Sequence, residues 1–223
     1  MSWWEFWKPK KERLDFVRDF LAGNETPIPG IRSISQLKFT VLDTETTGLD
    51  PAKDSILSFG AVKVESMKIQ VPTAVEWYPK SGIIPGKAAQ IHGLIDIIDQ
   101  ISEEEFVKLL LPYLGDSVLV GHHIGFDLEM IGKIVRPFGI AQMPNPVIDT
   151  LNFAVRLEHG PQADLSRIPM GAYSLDELCI RFGIELEDRH TAAGDAFLTA
   201  QLFLKLLRLA EKKGIRTYKE LLR

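Results

Sequence analysis

At 223 residues, with a net charge of −4 and ordinary hydrophobic and charged fractions, the chain fits a single α/β domain with some extra length. A core of this size folds without disulfides or a structural metal, and the lone Cys179, in an apolar helical stretch, reads as a buried small hydrophobe in a reducing, cytosolic protein. No apolar run approaches the ~20 residues of a membrane span, and no secretory leader pattern is visible. The acidic balance weighs against a protein that coats long duplex DNA, though little against an enzyme that grips a few nucleotides at one end.

Residues 1–37 read as an extension to a domain over 38–223. Its first seven residues hold Trp3, Trp4, Phe6 and Trp7, followed by basic residues and then LDFVRDFL with helical apolar spacing. The segment is expected to pack as an amphipathic helix on the domain, or else to dock a protein partner or a membrane surface through its aromatic residues. From Lys38 the pattern turns to strands: KFTVLDTET, SILSFGAVKV and KIQVPTAVEWYP, joined closely enough for an antiparallel meander. Helices and strands then alternate. Ser102 with Glu105, Ser174 with Glu177 and Thr217 with Glu220 predict three capping boxes. SVLVGHH and PVID read as short buried strands, FDLEMIGKIVRPFG and TLNFAVRLEHG as helices, and a long helix is predicted from about Thr191 to Lys213. The basic tail, Lys205 to Arg223, reads as a solvated helix face in preference to a nucleic-acid contact. Three strands and then an alternating series predict a mixed sheet flanked by helices.

Three strings carry chemistry. In Asp43-Thr44-Glu45-Thr46-Thr47-Gly48-Leu49, two carboxylates at i and i+2 end an apolar strand. Strand geometry puts them on one face, ~6–7 Å apart along the chain. Such a pair repels itself, and a divalent cation with oxygen ligands, Mg²⁺ or Mn²⁺, is the natural compensation. In Gly121-His122-His123-Ile124-Gly125-Phe126-Asp127, a buried strand delivers Asp127 to a helix N-terminus, where alone it would read as a cap. In His190-Thr191-Ala192-Ala193-Gly194-Asp195, a histidine precedes the long helix and a carboxylate is expected in its second turn, with small residues between. Carboxylates from three elements together with a histidine near neutral titration are the ingredients of metal-assisted phosphodiester hydrolysis.

In this order and spacing, DTETTGLD, GHHIGFD and HTAAGDA resemble the three motifs of the DEDDh (DnaQ-like) 3′→5′ exonucleases, over roughly residues 38–210. The resemblance implies a ribonuclease H-like fold with a central mixed sheet of five strands. It makes Asp43, Glu45, Asp127 and Asp195 ligands of two Mg²⁺ or Mn²⁺ ions and His190 the general base. His92, in Gln90-Ile91-His92-Gly93, would contact the terminal nucleotide, the backbone at Thr46 would approach the 3′-hydroxyl, and Phe126 would pack beside the terminal base or in the core. Asp149 reads as a helix cap and not as a ligand. The implied partner is the 3′ end of a nucleic acid, single-stranded DNA favoured over RNA. Ribonuclease T-like or oligoribonuclease-like RNA trimming is the nearest alternative. A non-catalytic binding module on the same fold would require a broken ligand set, and this set is complete. One departure is His123, where the family often has asparagine. It is not a ligand position, so activity is expected to survive.

Overall fold

The computed structural model describes residues 14–80 and 100–223. Its centre is a five-stranded sheet in the order β3-β2-β1-β4-β5. The strands are β1 (Lys38–Thr46), β2 (Ile56–Glu65), β3 (Lys68–Trp77), β4 (Val118–Gly121) and β5 (Val147–Asp149). The β1–β2 and β2–β3 pairs are antiparallel, the predicted meander, and β1–β4 and β4–β5 are parallel. The helices are α1 (Asp15–Gly23), α2 (Glu103–Leu114), α3 (Gly125–Val135), α4 (Thr150–His159), α5 (Leu175–Arg181), α6 (Ala192–Lys212) and α7 (Tyr218–Leu221). This is the mixed, helix-flanked sheet of a ribonuclease H-like fold.

Period-two alternation along β1 sorts its side chains to two faces. Phe39 and Val41 join a core with Leu151, Phe153 and Val155 of α4, Leu178 of α5 and Leu198, Leu202, Phe203 and Leu206 of α6. Leu42 points the other way, into a core with Val17 and Phe20 of α1, Phe106, Leu110 and Leu111 of α2 and Met130 and Ile131 of α3. β1 is therefore covered on both faces, and only the strand's C-terminal end can hold polar chemistry at low cost.

The helix ends follow from local chemistry. Ser102, Ser174 and Thr191 each accept a backbone N–H of the first turn, at 3.1, 3.3 and 3.0 Å. Of the three predicted capping boxes, the reciprocal bond closes only at Thr217, where the Glu220 carboxylate accepts the Thr217 N–H at 3.0 Å. At Ser102 and Ser174 the Glu side chains stay exposed and only half of the box forms. Pro137 and Gly139 end α3 as predicted, through a short 3₁₀ turn and a left-handed glycine at φ 93°.

α1 precedes the expected boundary at Lys38 and buries Val17 and Phe20 against α2, while Ser33 bridges to Thr217. Cys179 is fully buried. The basic residues of the tail, Lys205, Arg208, Lys212, Lys213, Arg216, Lys219 and Arg223, are all exposed. Lys212 closes the 21-residue α6, ~30 Å from the helix N-terminus. Among the described residues no helix is long and apolar enough to cross a membrane.

Candidate active site

Asp43 and Glu45 continue the Phe39–Val41 face of β1, where α6 crosses the sheet. A glycine sets how closely α6 can approach. Gly60 of β2 pairs with Asp43, and a Cβ on it would lie 2.1 Å from the Ala192 carbonyl carbon. The first turn of α6 therefore rests directly on the strand beside Asp43, and Asp195 is carried inward, 8% exposed. One carboxylate oxygen from each of Asp43, Glu45 and Asp195 lies within 4.8 Å of the others.

Asp127 arrives from the opposite face. It sits in the first turn of α3, on the Thr44 side of β1, and is buried. β4 stops at Gly121, so beyond Val41 the parallel ladder has no strand for β1 to bond. Asp127 takes that place. Its Oδ1 accepts the Thr44 backbone N–H at 2.8 Å and the Thr44 hydroxyl at 2.6 Å. The fourth carboxylate is thus anchored next to the trio and not within it.

The electrostatics match this crowding. Burial pushes the Asp43 carboxyl well above the usual range, and Asp127, Asp195 and Glu45 add to the effect while Arg189 opposes it. Burial also raises Asp127, to about 7, against the two hydrogen bonds from Thr44. These are the signatures of a site short of positive charge. The residues present fit a divalent cation. The converging donors are all oxygens, and Asp195 Oδ1 is buried, with the Arg189 guanidinium against it but no well-angled hydrogen bond.

His190 is exposed in the turn before α6, with φ 65°. The turn is wrapped onto the helix. Thr191 Oγ1 donates to the Asp188 carbonyl at 2.9 Å, and Gly194 leaves room for that carbonyl, which a Cβ would meet at 2.0 Å. Thr46 ends β1, its hydroxyl donating to the Gly48 carbonyl at 2.8 Å. Phe126 is half-buried against the α2–α3 core. Asp149 caps α4 by accepting the Leu151 N–H at 2.9 Å, the role expected for it. His92 and its Ile-His-Gly segment lie outside the described residues.

Three residues around the site have contacts that the sequence reading does not assign. Thr44, between the two acids of the first string, holds Asp127 through its N–H and its hydroxyl. His122 Nδ1 lies 2.9 Å from Thr150 Oγ1, and burial, with His123 next, pulls its pKa down to about 4. Arg189 pairs with both Asp195 and Asp176. The signal available for Arg189 was its place beside His190 in an otherwise acidic stretch, Glu185-Leu186-Glu187-Asp188.

Comparison with known proteins agrees with this geometry. Residues 40–203 match the RNase_T family, described as exonuclease. The chain is 32% identical over 188 residues to the DNA polymerase III subunit epsilon of Aquifex aeolicus, covering 83% of this chain and 88% of that protein. It is 32% identical over 215 residues to the PolC-type DNA polymerase III of Thermotoga maritima, of which it spans only 15%. The fold is shared with E. coli exonuclease I in complex with a dT13 oligonucleotide, at a TM-score of 0.61 and 20% identity over 80% of this chain and 43% of that one. The motifs, the clustered carboxylates and the match over most of its length place the chain in the RNase_T exonuclease family, as an enzyme of the exonuclease class.

Proposed function

We propose that the chain removes nucleoside 5′-monophosphates, one at a time, from the 3′ end of single-stranded DNA, using two Mg²⁺ or Mn²⁺ ions. The observation that carries this reading is the meeting of Asp43, Glu45 and Asp195 oxygens within 4.8 Å of one another. Those three residues would hold one ion, and a second would draw on Asp127. When bound, the ions supply Lewis-acid charge to the phosphate and acidify water for attack at neutral pH.

The chain's own residues supply the rest. His190, exposed in the turn before α6, takes the proton from the attacking water. Asp127, fixed by Thr44, keeps its carboxylate turned to the end of β1. The backbone at Thr46 lies along the 3′-terminal sugar, and Phe126 offers a ring edge to the terminal base. Relatives named as parts of a DNA polymerase favour DNA over RNA.

A time course on 5′-labelled single-stranded DNA and RNA oligonucleotides, in Mg²⁺, Mn²⁺ or EDTA with Asp43→Ala as control, tests this. The expected result is a metal-dependent ladder shortening from the 3′ end, faster on DNA and absent in the variant. Intact oligonucleotides under every condition, with the protein folded, would overturn it, and faster turnover of RNA would reassign the substrate.

A further inference from the structure

We propose that Arg189 is a positioning residue of the reaction centre, holding Asp195 and His190 in one fixed relation from an anchor on α5. The inference rests on the reading of Asp195 as a metal ligand and His190 as the base. Arg189 Nε donates to Asp176 Oδ1 at 2.5 Å, and Nη1 forms an ion pair with Asp195 Oδ1. One guanidinium thus joins α5 to the first turn of α6. A planar fork can satisfy two carboxylates in different directions, which an ammonium cannot do with the same geometry.

Arg189 is bonded directly to His190, so whatever fixes its backbone fixes the base. Asp188 and His190 on either side of it hold φ of 51° and 65°. Non-glycine residues keep such conformations only where the surroundings over-determine them. Thr191 and Gly194 clamp the Asp188 carbonyl from the helix side. The Arg189 side chain, 20% exposed, is the anchor that runs inward while Asp188 and His190 face solvent.

Two roles for Arg189 predict opposite signs. A cation that merely lies near the carboxylates weakens divalent-ion binding by repulsion, so removing it would tighten binding. A positioning residue holds a ligand ready, and removing such a partner costs ~10–100-fold in metal affinity. The two-ended contact, from Asp176 on α5 through the largely buried Arg189 to the buried Asp195, favours the second.

The test is Mn²⁺ affinity, measured by calorimetry and by electron paramagnetic resonance of free Mn²⁺, on wild type, Arg189→Gln, Arg189→Lys and Asp176→Asn, with Asp43→Asn as the ligand-loss control. Arg189→Gln is expected to raise the Mn²⁺ Kd ~10-fold or more. Asp176→Asn, which touches no ligand, moves it the same way by less, and Arg189→Lys recovers part of the loss. Unchanged or tighter binding by folded Arg189→Gln would overturn the proposal. If that variant does not fold, unchanged or tighter binding by Asp176→Asn does so. Wild type that binds no Mn²⁺, with Asp43→Asn indistinguishable from it, would instead sink the metal reading, and this proposal with it.

Discussion

Gly60 and Ala192 are in backbone contact: no atom larger than hydrogen fits on the Gly60 Cα without striking the Ala192 carbonyl carbon at 2.1 Å. This contact joins the β2 partner of Asp43 to the first residue of the helix that carries Asp195. Gly60→Ala must push the start of α6 off the sheet. Overpacking of this kind costs ~1–3 kcal/mol, and a shift of ~1 Å in a reacting group can cost ~100-fold in rate. The variant is expected to lose far more activity than stability. Oligonucleotide turnover beside chemical denaturation separates the two, and wild-type turnover in the variant would refute the contact's role.

Thr44 holds Asp127 through two donors, and only one can be removed by substitution. Thr44→Val deletes the 2.6 Å hydroxyl bond and leaves the backbone bond. Losing a hydrogen bond to a charged group costs ~1.5–3 kcal/mol. That bond also lowers the Asp127 pKa, so its loss moves the carboxyl further up from about 7. Turnover should fall by ~10-fold, on the same scale, and the fall should be steepest at low pH, where Asp127 is protonated. A uniform loss across pH would contradict this account.

The raised carboxyls make a stability prediction whose sign can be worked out. Asp127 goes from 3.8 to about 7 on folding, and Asp43 shifts the same way. The folded protein therefore holds protons that the unfolded chain releases, so their contribution is present below pH ~4 and lost as pH rises through ~7. Asp127→Asn keeps an acceptor for Thr44 and removes the titration. In EDTA, its melting temperature should gain on wild type between pH 4 and pH 7, and divalent ions should stabilise wild type more than the variant. A difference that does not vary with pH would refute the assignment.

His122 lies in a motif string but not on the same footing as His190. At a pKa of about 4 it is neutral throughout the working range, bonded to Thr150 and not to the carboxylates. Under the proposed mechanism His190, and not His122, takes the proton from the attacking water. His122→Gln should leave turnover above pH ~5 within a few-fold of wild type, and His190→Ala should cut it ~100-fold or more. A large loss in folded His122→Gln beside a small one in His190→Ala would reverse the roles.

What could be read from the chain alone was whatever depends on spacing within one element. Asp43 and Glu45 share a face because they are two apart on a strand, and Asp195 points inward because it follows the Thr191 cap by a helical turn. The strands, most helix ends and the caps are local in the same sense. Arg189 and Thr44 were not legible because their roles depend on how elements meet. Asp176 is thirteen residues from Arg189, on α5, while Arg189 lies in the turn before α6, and the Thr44 N–H is open to Asp127 only because β4 is short. The half-formed boxes at Ser102 and Ser174 have a similar cause. A glutamate three residues on permits the return bond, but on an exposed first turn water competes for the same carboxylate.

α1 offers a case where the amphipathic pattern alone suggested packing and the contacts give it a magnitude. Val17 and Phe20 are 0% and 5% exposed, and the Asn24 amide donates to the carbonyls of Phe20 and Gly115 at 2.9 and 3.0 Å, tying the end of α1 to the end of α2. Truncating a buried phenylalanine to alanine costs ~3–5 kcal/mol where the site cannot collapse. Phe20→Ala should therefore lower the denaturation midpoint markedly. Yet α1 lies on the α2–α3 side of the sheet, and the carboxylate trio lies on the side of α6. Turnover per folded molecule, measured well below the melting temperature, should stay within about twofold of wild type, since Phe20 packs on the face of the sheet away from the carboxylate trio. Loss of turnover in a variant shown to be folded would mean that α1 belongs to the catalytic unit and is more than a brace on its far face.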